Sequence, residues 1–94
     1  MEQSLVLTFD VGTQSARCLL VNESGEFEDK EQQKYKVPYL SKQPGWAEQT
    51  PDFYFNIIAE MSKKVIERNA DKLDRITAVC LTCIRDTVLC LDKD

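Results

Sequence analysis

The chain has 94 residues, with 12 lysines and arginines against 16 aspartates and glutamates, four cysteines and no histidine. Its length fits one small domain, and its net charge of −4 argues against a nucleic-acid or anionic-membrane surface. Without histidine, neither Ser-His-Asp nor Cys-His catalysis is available. Apolar residues make up 43% of the chain, which predicts a globular protein. Neither a membrane span nor a basic signal-peptide region is evident, so we expect a cytoplasmic protein with reduced thiols.

Three strands are predicted in the first part of the chain. Residues 5–9 are almost fully apolar and indicate a buried strand, and residues 16–21 predict a second one. Tyr35, Val37 and Tyr39 recur with a spacing of two, which predicts a third strand with one wet face. Five acidic residues and three lysines lie around its start, and we interpret them as a solvated sheet edge rather than a binding patch.

One helix is predicted after a loop that contains Trp46. This tryptophan either stacks on a ligand or, as we expect, anchors the loop against the sheet. Thr50 and Pro51 supply an N-cap and a proline at the first helical position. The helix is expected to end near Asn69. Its apolar side chains recur at helical spacing and form one stripe: Tyr54, Ile57, Ile58, Met61 and Val65.

Two further strands follow the helix. Residues 76–83 predict a fourth, buried strand and residues 87–91 a fifth, which gives the order β-β-β-α-β-β. The strands at 5–9 and 76–83 are apolar on both faces and need cover on both, but one helix covers only one face. We therefore expect part of a larger α/β fold, or half of an obligate assembly, rather than a self-sufficient domain.

All four cysteines lie in apolar runs, which predicts buried structural thiols. Cys80 and Cys83 match the pattern C-x-x-C, but within a strand their side chains point to opposite faces, so they cannot share a zinc ion. A redox C-x-x-C normally opens a helix. Neither metal nor redox chemistry is therefore expected from the cysteines.

The turn after the first strand is the first segment that could carry chemistry. Asp10, at the end of a buried strand, could hold a divalent cation directly or through water. Gly12 lets the backbone approach a ligand closely. Hydroxyl, amide, guanidinium and turn N–H groups could contact phosphate oxygens. An ordinary hairpin turn with an Asx cap is the alternative. The residues that carry these polar groups are Thr13, Gln14, Ser15 and Arg17.

The second such segment is Arg85-Asp86, directly after the fourth predicted strand. Strand ends of this kind border the crevice in which open α/β sheets bind ligands. An adjacent cation and carboxylate could hydrogen-bond to a polyhydroxylated substrate. The alternative is a surface ion pair, which contributes very little energy.

Three stretches together resemble the N-terminal part of the FGGY family of carbohydrate kinases, which includes glycerol kinase and xylulokinase. Residues 7–17 resemble its opening phosphate hairpin, residues 43–51 its P-G-W-x-E-x-x-P loop, and residues 76–87 the strand and loop that end in R-[ED]-T. They stand in the family's order and at its spacings, and the chain covers only the opening part of a family member.

The resemblance implies an α/β fold of the ribonuclease-H-like, actin-like ATPase type, with a mixed sheet flanked by helices. Residues 1–94 would form the N-terminal portion of the first domain, and the second domain would lie outside this chain. It implies ATP-dependent phosphorylation of a sugar or polyol hydroxyl with Mg²⁺, without nucleic-acid or membrane partners. The full-length protein could be a homodimer.

Site residues follow from the same resemblance. Asp10 would sit by the metal, and Arg85 and Asp86 would hydrogen-bond substrate hydroxyls. The general-base aspartate of the family comes from the middle of the full-length chain, so no catalytic base is expected before Asp94. The implied phosphate-site residues are Gly12, Thr13, Gln14, Ser15 and Arg17.

Two positions depart from the family pattern. Gln14 stands where many members carry Thr or Ser, so its phosphate contact would be through amide or backbone. Asp86 is one carbon shorter than the Glu of glycerol kinases, which puts glycerol in doubt as the substrate. The Arg-acid pair still favours the glycerol-kinase-like side over xylulokinases, which lack it.

Two other functions compete with a kinase. A non-catalytic interaction module could use the same half-fold and close its uncovered sheet face against a partner. A metal-dependent nuclease of related fold would need further carboxylates near Asp10, and the sequence shows no obvious set. We expect the N-terminal piece of a carbohydrate kinase, inactive by itself.

Overall fold

The computed structural model describes residues 3–37 and 39–82. Its strands form one mixed sheet in the order β3-β2-β1-β4, with β1 antiparallel to β2 and parallel to β4. The predicted strand at 87–91 lies outside the described residues. The elements are β1 (Leu5–Val11), β2 (Ser15–Asn22), β3 (Phe27–Lys34), α1 (Pro51–Arg68), a 3₁₀ turn (Ala70–Arg75) and β4 (Ile76–Thr82).

The core lies between α1 and one face of the sheet. Strand β1 alternates buried and half-buried side chains along its whole length, as a strand covered on one face does. The predicted helical stripe is confirmed, since Ile57, Met61 and Val65 are buried and Tyr54 and Ile58 pack against them. The sheet contributes six side chains to this core: Leu5, Leu7, Phe9, Ala16, Cys18 and Leu20.

The predicted limits of α1 are confirmed. Thr50 has the extended backbone of an N-cap and Pro51 is the first helical residue, although the Thr50 side chain makes no capping hydrogen bond. Asn69 closes the other end, because its side-chain amide donates to the Val65 carbonyl at 2.7 Å. No helix among residues 3–37 and 39–82 is long and apolar enough to cross a membrane.

The predicted position of the third strand is wrong. Strand β3 runs over Phe27–Lys34, before the three apolar residues that suggested it, and Val37 and Tyr39 are exposed. A tight turn explains the difference, because Oδ1 of Asn22 accepts hydrogen bonds from the N–H groups of Ser24 and Glu26. This turn returns the chain at once to pair with β2, and an edge strand can be almost wholly polar.

Ion pairs join β3 to the end of α1 and the 3₁₀ turn. Arg68 lies 3.0 Å from Asp29 and 2.7 Å from Glu31. Lys72 and Arg75 each lie 3.3 Å from Glu28. The edge position predicted for this charged segment is confirmed, but three of its acids are paired with cations rather than simply solvated. We call these six residues the β3 ion-pair cluster.

Strand β4 was predicted to be buried, but most of its side chains are exposed. Val79 and Leu81 are 66% and 54% exposed, because α1 packs against β2 and β3 rather than β4. Cys80 is exposed too, so the prediction of a buried thiol is confirmed for Cys18 and wrong for Cys80. Cys83 and Cys90 lie outside the described residues.

Trp46 does not anchor its loop in the core, since 49% of it is exposed. The loop closes on itself instead. The N–H of Trp46 donates to the Gln43 carbonyl at 3.0 Å, next to Gly45 in the left-handed region. Leu40 and Glu48 exchange backbone hydrogen bonds across the loop.

Candidate functional site

Asp10 lies near the end of β1, between residues of two neighbouring strands. The strand register sets Arg17 of β2 opposite Asp10 on one side and Thr82 of β4 opposite it on the other. Because Phe9 and Val11 are buried against the helix side, the alternation of a strand turns Asp10 to the other face. Strand pairing therefore brings a carboxylate, a guanidinium and a hydroxyl together there.

Each carboxylate oxygen of Asp10 has its own partner. Nη2 of Arg17 donates to Oδ2 at 2.5 Å. The hydroxyl of Thr82 lies 3.1 Å from Oδ1 and also 3.1 Å from the Phe9 carbonyl oxygen. The ionised carboxylate is the stronger of these two acceptors, because a charge-assisted hydrogen bond is stronger than a neutral one.

These contacts keep Asp10 charged. The hydrogen bonds from Arg17 and Thr82 lower the pKa of Asp10 below its ordinary value of 3.8, against a small opposing effect of burial. The carboxylate is nevertheless accessible, since 41% of the Asp10 side chain and 54% of the Arg17 side chain are exposed. At neutral pH the site therefore presents an ionised carboxylate that a ligand can reach.

Residues 12–14 form the β1–β2 loop. The N–H of Gly12 donates to the Ser15 carbonyl at 2.9 Å. A Cβ at position 12 would lie only 3.0 Å from that same carbonyl oxygen, so the tight loop itself requires the absence of a side chain. Thr13 and Gln14 are exposed at the tip, and Ser15 begins β2.

Tyr35 supports this loop, a role that was not predicted from the sequence. Its hydroxyl donates to the Gly12 carbonyl at 3.0 Å, and its N–H donates to the Gln14 carbonyl at 2.9 Å. The register explains the contact, because Lys34 pairs with Ser15 and the next residue lies beside the loop. The only sequence signal for this role is a single tyrosine directly after a polar strand. It can be recognised only once β3 is known to end at Lys34.

The chemistry that these groups allow is the binding of a phosphate together with a divalent cation. Among residues 3–37 and 39–82, no group of three or more Asp, Glu or Cys residues could hold a metal ion. Mg²⁺ is commonly held by only one or two carboxylates, with water and substrate phosphates as its other ligands, and Asp10 can supply one such carboxylate. Loop N–H groups and Arg17 are suited to an anion. Arg85 and Asp86 lie outside the described residues.

Most of the chain matches a family model of known proteins. The N-terminal domain of the FGGY family of carbohydrate kinases matches residues 5–94. The chain belongs to this family.

Curated relatives include glycerol kinases. The chain is 32% identical over 94 residues to the glycerol kinase of Pseudothermotoga lettingae, which is 100% of this chain. It is 33% identical over 89 residues, or 95% of the chain, to glycerol kinase 2 of Thermotoga maritima. In both comparisons the chain spans 18% of the relative's length.

Solved structures show the fold. The crystal structure of Plasmodium falciparum glycerol kinase with ADP matches with a TM-score of 0.64 and 21% identity, over 87% of this chain and 15% of that one. Gluconate kinase from Lactobacillus acidophilus matches with a TM-score of 0.65 and 23% identity, over 86% and 15%. The expected actin-like ATPase fold, here its N-terminal part with a mixed sheet and a helix, is confirmed.

Proposed function

We propose that the whole protein transfers a phosphoryl group from ATP to a hydroxyl of a sugar or polyol. Residues 1–94 are the N-terminal portion of its first domain, and the second domain lies outside this chain. One observation carries the proposal: an ionised, accessible Asp10 lies at a strand end beside a tight glycine loop. Membership of a carbohydrate kinase family supports it.

Asp10 holds Mg²⁺ in this proposal, directly or through water. An ion held there would supply positive charge beside the phosphates of ATP. Oδ1 accepts a hydrogen bond from Thr82 and Oδ2 one from Arg17, and each carboxylate oxygen keeps a second lone pair for the ion or one of its waters. The flexible Arg17 side chain can turn from Oδ2 to a phosphate oxygen and so keep an anionic partner when ATP binds.

The β1–β2 loop and Ser15 line the phosphate site. Thr13 and Ser15 contribute backbone N–H groups or hydroxyls, and Gln14 an amide in place of a hydroxyl. Gly12, whose own N–H donates to the Ser15 carbonyl, lets the backbone turn tightly beside the phosphates. Phosphoryl transfer depends mainly on positioning and on stabilising charge, so these groups act by holding the phosphates rather than by covalent chemistry.

Substrate recognition is assigned to Arg85 and Asp86, which hydrogen-bond hydroxyl groups of the acceptor. The shorter Asp86 makes a larger polyol or sugar a better candidate than glycerol. The general base comes from a later part of the full-length protein, as do the adenine contacts. We expect a cytoplasmic enzyme, which could assemble as a homodimer.

The decisive experiment replaces Asp10 by Asn in the full-length protein. Asp10→Asn keeps the shape of the side chain but removes its charge, so we expect phosphoryl transfer to fall by roughly 100-fold or more. The measurement is ADP release with a panel of polyols and ketoses. Asp52→Asn, the same change at an exposed position in the first turn of α1, serves as the control.

The control variant should keep the activity of the unaltered protein. Full activity of Asp10→Asn would overturn the role of Asp10 in the metal site. Failure of the unaltered protein to phosphorylate any member of the panel would instead count against the proposed reaction.

A further inference from the structure

Tyr35 holds both ends of the β1–β2 loop from a single position. Its hydroxyl and its N–H reach two different carbonyl oxygens, those of Gly12 and Gln14, at 3.0 and 2.9 Å. The residue is only 8% exposed although it follows a strand that is almost entirely polar. Water therefore cannot easily replace the tyrosine hydroxyl at this contact.

The two hydrogen bonds decide which backbone groups of the loop are free. Because the carbonyl oxygens of Gly12 and Gln14 both accept hydrogen bonds from Tyr35, the negative ends of these two peptide dipoles point towards Tyr35. The N–H groups of Thr13 and Gln14 donate to no other described residue. A loop that binds an anion needs this polarity, with N–H groups available and carbonyls occupied.

The ring of Tyr35 is itself fixed by the start of α1. It meets the ring of Phe53 edge to face, with centroids 4.9 Å apart, and that of Tyr54 at 6.4 Å. Edge-to-face pairs of this kind favour one ring orientation. The hydroxyl is thus directed at Gly12 by packing on the first turn of the helix.

We propose that Tyr35 is a positioning residue for the phosphate site, whose hydroxyl holds the Gly12 carbonyl back so that the β1–β2 loop presents N–H groups to ATP. This inference rests on the proposed function, since it assumes that the loop binds nucleotide phosphates. It assigns the hydroxyl a role in ATP affinity and none in recognition of the sugar or polyol.

The test is Tyr35→Phe in the full-length protein, which removes one oxygen and keeps the ring. Loss of one such hydrogen bond corresponds to about a 3- to 10-fold effect. We expect hydrogen exchange of peptides over residues 5–22 to rise by this factor, and both the Kd and the KM for ATP to rise with it. The KM for the sugar or polyol should not change.

Tyr54→Phe is the matched control. It makes the same chemical change in the adjacent ring, and the Tyr54 hydroxyl has no hydrogen-bond partner among residues 3–37 and 39–82. The control should leave exchange of the β1–β2 loop and ATP affinity unaltered.

The outcomes separate the two proposals. If Tyr35→Phe and Tyr54→Phe bind ATP with the same affinity, the positioning role is overturned, whether or not hydrogen exchange rises, and the proposed function stands. An unaltered protein that binds no ATP overturns the proposed function and this inference with it. Weaker ATP binding in Tyr35→Phe alone supports both.

Discussion

Asp10 depends on two residues that come from opposite ends of the described chain. Arg17 is its near neighbour across a hairpin, whereas Thr82 is 72 positions away. The proximity of Asp10 and Arg17 could be predicted, because a three-residue loop between two strands sets them opposite one another. Thr82 could not be predicted, since the register of a parallel pair is not fixed by any local turn.

The Asp10–Arg17 pair leads to a prediction about pKa. Arg17→Met removes the larger cause of the lowered pKa of Asp10, so that pKa should rise towards its ordinary value of 3.8. Thr82→Val should raise it less. Carbon-13 NMR of the Asp10 carboxyl group against pH measures both changes.

The sign of the stability effect follows from the lowered pKa. The Asp10–Arg17 pair contributes stability above the ordinary pKa and loses it as the pH falls through the lower folded value. The unaltered protein should therefore lose more stability on acidification than Arg17→Met does. An Asp10 pKa that does not move in Arg17→Met would contradict this account.

Between elements, the β3 ion-pair cluster explains how a polar edge strand is held. Burial raises the pKa of Asp29, but the hydrogen bonds from Arg68 and Asn69 together lower it by more, so the net shift is downward. The pKa of Glu28 is lowered too, mainly by hydrogen bonds from Asn22 and Lys72. Polar residues therefore fix β3 against the last turn of α1 and the 3₁₀ turn.

We predict that Arg68→Gln lowers the midpoint of thermal unfolding by a few degrees, because one guanidinium contacts both Asp29 and Glu31. The difference from the unaltered protein should shrink in about 1 M NaCl, which screens partly exposed charges. It should also shrink as the pH falls through the lowered pKa of Asp29. Calorimetry at several salt concentrations and pH values measures this.

Lys63→Gln is the matched control for Arg68→Gln. It removes one positive charge from an exposed position of the same helix, and Lys63 has no ion pair within residues 3–37 and 39–82. Equal effects of the two variants would show that the β3 ion-pair cluster contributes nothing beyond net charge.

How far each element could be predicted depends on where its signal lies. The stripe that contains Met61 and Val65 predicted helix α1 correctly, because apolar side chains at helical spacing are a local pattern. Strand β3 has no such pattern, and its partners on α1 are nearly 40 positions away, as in the 37-residue separation of Arg68 and Glu31. Long-range ion pairs leave no periodicity in the sequence.

Across the whole described molecule, α1 covers one face of the sheet, and it covers that face only in part. α1 covers β2 and β3, while β4 exposes Val79, Leu81 and Cys80. The apolar residues of strand 76–83 predicted a buried strand, which is wrong for Val79 and Leu81, and the need for further cover over them stays a prediction. That this cover is not provided by α1 could not be predicted, because the position of a helix across a sheet depends on packing.

The two described cysteines report this asymmetry. We predict that an alkylating reagent modifies Cys80 quickly in the native 94-residue chain and Cys18 only after unfolding. Burial raises the pKa of Cys18 to about 11, so at mildly alkaline pH it is both hidden and protonated. Peptide mass spectrometry after timed labelling measures the two rates.

Labelling in denaturant provides the reference, since both thiols should then react at similar rates. Similar rates for the two cysteines in the native chain would contradict the described burial of Cys18 or the exposure of Cys80.

The place of β1 between β2 and β4 also sets an order of assembly during synthesis. β1 pairs with β2 through a three-residue loop, so the Asp10–Arg17 contact can form once the hairpin has been made. Thr82 can reach Asp10 only after α1 and the 3₁₀ turn have been added and β4 has docked in parallel. Such distant contacts form slowly because a long loop must close first. A nascent chain would thus carry the ion pair at Asp10 well before it carries the complete site.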